Sequence, residues 1–82
     1  MIHDRDIAYL IRALAVARGW RVSTASRIVS GSWDTVDRID RHGTLTQRRA
    51  RRILEAVSEH WPTDLPWPEG IERPRIDEKD VA

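Results

Sequence analysis

Residues 14–31 read LAVARGWRVSTASRIVSG, and the fold turns on how this stretch is parsed. It holds the end of one apolar stripe, a glycine, a short polar segment with small apolar residues, and a second glycine. Upstream, Ile7, Leu10, Ile11 and Leu14 recur at the three-and-four spacing of one helix face. Asp4 is a candidate N-cap, and alanines through Ala17 favour helix on propensity. Gly19 can take the left-handed conformation that ends a helix, so the first predicted helix is Asp4–Arg18. Ser23 can cap a second, short helix in which Ala25, Ile28 and Val29 gather on the inner side. Gly31 stops it.

Beyond Gly31 a third helix is expected from Ser32 to Arg41, with Trp33, Val36 and Ile39 on one stripe and Gly43 closing it. Their spacing of three also fits a helix containing a 3₁₀ turn. The fourth segment has the strongest periodicity. Thr44-Leu45-Thr46-Gln47 fits a capping box, with Thr46 the competing cap if Leu45 staples onto Ala50. Ala50, Ile53, Leu54, Val57 and Trp61 then form a narrow buried stripe, and Pro62 ends the helix. All four prolines (62, 66, 68 and 74) lie from this point on. They exclude another long helix and suggest an extended strap, with Leu65, Trp67 and Ile71 lying on the helices. The last residues, Ile76 to Ala82, read as a frayed end. The expected class is all-α: a compact bundle of about four helices in residues 1–61, followed by an acidic strap in residues 62–82.

Composition narrows the function. The chain has 82 residues, enough for one small domain, and no cysteine, which excludes disulfide scaffolds, thiolate metal sites and cysteine nucleophiles. No apolar run approaches the roughly 18 residues of a membrane span. The opening MIHDRD lacks the order of a signal peptide, so a cytoplasmic protein is expected. The net charge of +1 conceals a polarity. Residues 1–61 hold 11 Arg against 7 acids, whereas residues 62–82 hold 3 basic residues against 6 acids. A basic body points to a polyanionic partner. Thirteen of the fourteen cations are Arg, which forks onto phosphates and guanine edges; a GC-rich coding sequence would produce the same bias.

A helix-turn-helix needs a small residue where two helices touch, a glycine in the turn, and apolar residues that lock the following helix. Ala15, Gly19, Ala25 and Ile28 stand at such offsets. Here the sequence resembles the phage-repressor type of helix-turn-helix regulator, the lambda repressor-like family. The likeness runs through Gly19-Trp20-Arg21-Val22-Ser23-Thr24-Ala25-Ser26-Arg27-Ile28-Val29-Ser30-Gly31 and departs at Val22. It covers about 18 residues in all. The resemblance implies that Ala25, Ile28 and Val29 are core and that Val22–Ser30 is the recognition helix. Arg21, Ser23, Thr24 and Arg27 would then meet base edges, with Arg18, Ser26 and Ser30 beside the backbone. It further implies double-stranded DNA as partner, a homodimer on a two-fold site, nucleoid association when bound, and a regulator of transcription of prophage or mobile-element type. The family usually places a further helix ahead of the motif and often carries Gln or Asn in the recognition helix; this chain has neither feature.

Arg48, Arg49, Arg51 and Arg52 crowd the first half of the fourth helix, where cations oppose the helix dipole. In the resembling family this helix starts near the DNA backbone, so Arg48, Arg49 and Arg52 would contact phosphates, with Arg51 off that direction. The competing reading is a solvated basic face balanced by Asp37 and Asp40. Trp61, Leu65 and Trp67 have two readings also: cover for the chain's own core, or a dimer seam or docking strap. The second gives a rival function, a protein-binding module such as an antitoxin or adaptor. His3, His42 and His60 are too scattered to suggest a metal site, and Asp34, Asp37 and Asp40 suit capping and ion pairing better than catalysis. No enzyme, metal or cofactor is expected.

Overall fold

A computed structural model describes residues 2–43 and 45–74. Four helices follow one another, α1 (Asp4–Arg18), α2 (Val22–Ser30), α3 (Thr35–His42) and α4 (Gln47–His60), and the described residues contain no strand. The expected all-α bundle is therefore the architecture. Helix α1 is central and packs on the other three, while α2 also packs on α3 and α4. Helices α3 and α4 diverge instead of packing on one another. Among the described residues no helix is long and apolar enough to cross a membrane.

The core follows the apolar spacing. Ile7, Leu10, Ile11 and Leu14 of α1 are fully buried, as are Ala15 and Ala25, whose small side chains suit close helix approach. The α4 stripe of Ala50, Ile53, Leu54, Val57 and Trp61 is buried in its entirety. Helix α1 ends in a Schellman closure: Gly19 sits at φ +74°, its amide reaches Val16 O at 3.2 Å, and Trp20 N reaches Ala15 O at 2.8 Å.

The second turn is tied by hydroxyls. Ser26, fully buried, donates through Oγ to Ser32 O at 2.6 Å and accepts from Thr35 N at 3.2 Å. Ser30 Oγ donates to Ser26 O at 2.6 Å and lies 2.7 Å from Thr35 Oγ1. One of the orphan amides at the start of α3 is thus satisfied from α2, which fixes the angle between the two helices. Gly31 stands at φ +83° with open space around the position of a Cβ. Gly31→Ala is therefore expected to cost about 1–2 kcal/mol through backbone strain alone, without a steric clash. A urea titration compared with the parent chain measures it.

Several expectations are corrected. Asp4 is the first residue of α1 and His3 the N-cap, without a side-chain cap bond. Helix α2 starts at Val22 with Arg21 as N-cap, so Ser23 lies inside the first turn. Ile28, expected in the core, is exposed, because α2 turns Ala25, Ser26 and Val29 inward instead. Trp33 is 64% exposed, since α3 begins two residues later and leaves it in the turn. The cap of α4 is Thr46, whose Oγ1 accepts from Arg49 N at 3.1 Å; Thr44 lies outside the described residues. Trp61 is buried, as its spacing requires. Leu65, Trp67 and Ile71 pack only partly buried against the core, so Trp67 is less covered than a core residue. Residues 75–82, and with them the expected frayed end, lie outside the described residues.

Candidate nucleic-acid interface

The residues singled out on α2 divide by burial. Arg21 and Arg27 are exposed, and Ser23 and Thr24 are half-buried. Ser26 is the clear correction: with no exposed surface and its hydroxyl holding the α2–α3 turn, it cannot reach a DNA backbone. Ser30 is half-buried, and its hydroxyl is spent in the same turn.

Arg18 is exposed but occupied. Its Nε and Nη2 donate to His60 O at 3.0 and 2.7 Å, capping the carbonyl end of α4, where a cation complements the dipole. The guanidinium also lies 5.8 Å from the centre of the Trp20 ring. Arg18 thus sits at the far end of α4 from Arg48, about 18 Å away along the helix axis.

Arg48, Arg49 and Arg52 are exposed on the first turns of α4. Arg49 Nη2 approaches Ser30 O at 3.5 Å, which brings the start of α4 beside the end of α2. The acids expected to balance this cluster are committed elsewhere: Asp37 pairs with Arg41 at 3.3 Å, and Asp40 pairs with Arg12 of α1. Arg51 turns to Glu55 at 3.5 Å. Arg38, Arg48, Arg49 and Arg52 form no ion pair among the described residues.

Arg38 was not singled out in the sequence, and His42 was weighed only as a metal ligand. They stand four apart on α3, and with Arg49 and Thr46 of α4 they line a cavity of about 200 Å³ in the gap between the diverging helices. The available signal was the Asp37–Arg41 spacing of four, which pairs the acid within α3 and leaves Arg38 and His42 on the adjoining face. Asp37 and Arg41 of α3 are 57% and 70% exposed, and Arg38, Asp40 and His42 are exposed as well.

The tryptophans of the carboxyl-terminal stretch are engaged within the chain. Trp61 and Trp67 meet edge to face at 4.9 Å, and their indole N–H groups donate to Leu65 O at 2.9 Å and Ile71 O at 2.7 Å. Arg73 lies over Trp67 and donates to Ser58 Oγ at 2.8 Å. A larger cavity of about 430 Å³ opens between the amino-terminal residues, α4 and this stretch, lined by His3, Asp6, Arg51 and Glu72 over Leu54 and Ile71. No protein-family profile, characterised protein or solved structure matches the chain.

Proposed function

We propose that the protein binds double-stranded DNA through the α2–turn–α3 pair and regulates transcription, as two copies on a two-fold site. The observation that carries this reading is the gathering of Arg38, His42 and Arg49 at one cavity, beside a two-helix turn held rigid by buried hydroxyls. A rigid turn supports precise docking of a helix, and unpaired Arg near it supplies the phosphate contacts that hold register.

Packing favours α3 over α2 as the helix that enters the major groove. Helix α2 packs on α1, α3 and α4, whereas α3 packs on α1 and α2 only and exposes Asp37, Arg38, Asp40, Arg41 and His42. Arg41 can fork onto a guanine edge, and Asp37 can accept from a cytosine amino group. Arg21, Ser23, Thr24 and Arg27 then lie along the backbone rather than in the groove. The rival reading, a protein-binding module, rests on Trp61, Leu65 and Trp67, whose side chains are used inside the chain.

Mobility shifts on genomic fragments flanking the protein's own gene, with and without competitor DNA, test for binding. The ratio of specific to random affinity at one fixed salt concentration then identifies the reading helix. Arg41→Ala should narrow that ratio by about 1–3 kcal/mol and Arg27→Ala should leave it intact. The reverse result would return the reading role to α2. Absence of binding to any duplex, at any salt, rejects the function.

A further inference from the structure

We infer that the cavity between α3 and α4 is a clamp for a single DNA phosphodiester, held jointly by Arg38 and His42 from α3 and by Arg49 and Thr46 from α4. The inference rests on the DNA-binding reading and adds a site to it. Cations converge here from two helices that do not pack together, and among the described residues no carboxylate lines the cavity. The two nearest acids of α3, Asp37 and Asp40, are paired with Arg41 and Arg12.

Arg38 and His42 make no side-chain hydrogen bond with the described residues, and Arg49 makes only the long contact to Ser30 O. Thr46 Oγ1 accepts from Arg49 N and keeps its own O–H to donate. The volume of about 200 Å³ corresponds to several waters at roughly 30 Å³ each, room for a phosphate group above the apolar floor of Ile39 and Leu45. Lining one cavity without an anion, Arg38 and Arg49 repel. A phosphate between them removes that repulsion and accepts forked hydrogen bonds from both.

The test uses the full chain and a labelled duplex that it binds. Arg38→Gln and Arg49→Gln should each weaken binding about tenfold at low salt, as expected for a lost charged hydrogen bond. The double variant should lose far less than the product, because both side chains hold one phosphate. The salt slope should fall by about 0.9 per bound protomer, one phosphate's worth, in the double variant as in either single. Replacing phosphates one at a time by neutral methylphosphonate should reveal one linkage per protomer that reproduces the loss, and on that duplex the two substitutions should have no further effect. Both positions are exposed, so thermal melting should be unchanged.

Fully multiplicative losses, or no such linkage, overturn the clamp while leaving DNA binding intact. Inorganic phosphate perturbing the amides of Arg38 and Arg49, with every DNA linkage indifferent, would assign the cavity to a free anion and also overturn it. A chain that binds no duplex rejects the reading and the clamp together.

Discussion

Trp61→Ala is expected to leave the chain largely unfolded. Trp61 is only 4% exposed, completes the α4 stripe, and packs its ring edge to face on Trp67 at 4.9 Å. Truncating a buried tryptophan costs about 3–5 kcal/mol, and an aromatic pair adds about 0.5–1.5 kcal/mol. A single core of this size rarely supplies more than about 3–5 kcal/mol, so the loss is comparable with the whole stability. Trp61→Phe should be milder, since it keeps most of the apolar area and loses the N–H bond to Leu65 O. Trp33→Ala, at a site 64% exposed, should stay within about 0.5 kcal/mol of the parent. Urea titrations followed by helical circular dichroism rank the three. Parent-like stability in Trp61→Ala would mean that the packing of residues 61–74 contributes nothing to the fold.

Affinity for duplex DNA is expected to fall steeply with salt, the second large effect. If Arg48, Arg52, the Arg38–Arg49 clamp and the start of α2 engage about four phosphates per protomer, the log–log slope is about −3.6, or about −7 for a bound dimer. Raising salt from about 50 to about 200 mM then weakens binding about 10²-fold per protomer and about 10⁴-fold for the dimer. The slope therefore also reports how many copies bind. A slope near zero removes the phosphate contacts, and with them the DNA reading. Arg48→Ala should lower the slope by about one unit per bound protomer and weaken specific and random DNA alike, because a backbone contact carries no sequence information.

The alternation of apolar residues determined most of the fold. The helix Asp4–Arg18 was legible apart from its cap, because four large aliphatics at helical spacing precede a glycine that must take positive φ. The α4 stripe was equally legible, with Pro62 as stop, whereas the sequence fits either Thr44 or Thr46 as its cap and the structure places Thr46 there. Gly19, Gly31 and Gly43 each mark a helix end at positive φ. Such signals are local, and local propensity agrees with packing along these segments.

Only the tertiary structure decided which polar side chains are available for a partner. Ser26 and Arg27 are neighbours of similar polarity in the sequence, yet one is sealed in a turn and the other faces solvent. Whether a serine is buried depends on Ser32 and Thr35 arriving to accept and donate hydrogen bonds, and sequence spacing does not encode that arrival. The charges behave likewise. The Asp37–Arg41 pair follows from a spacing of four within α3. The Arg12–Asp40 pair, by contrast, joins residues 28 apart and needs α1 against α3. These pairings leave Arg38 and His42 beside Arg49 at a cavity, a grouping set by the divergence of α3 from α4. The chain's own order therefore determined its helices and its core, whereas the angles between helices decided which cations stay unpaired and meet in one place.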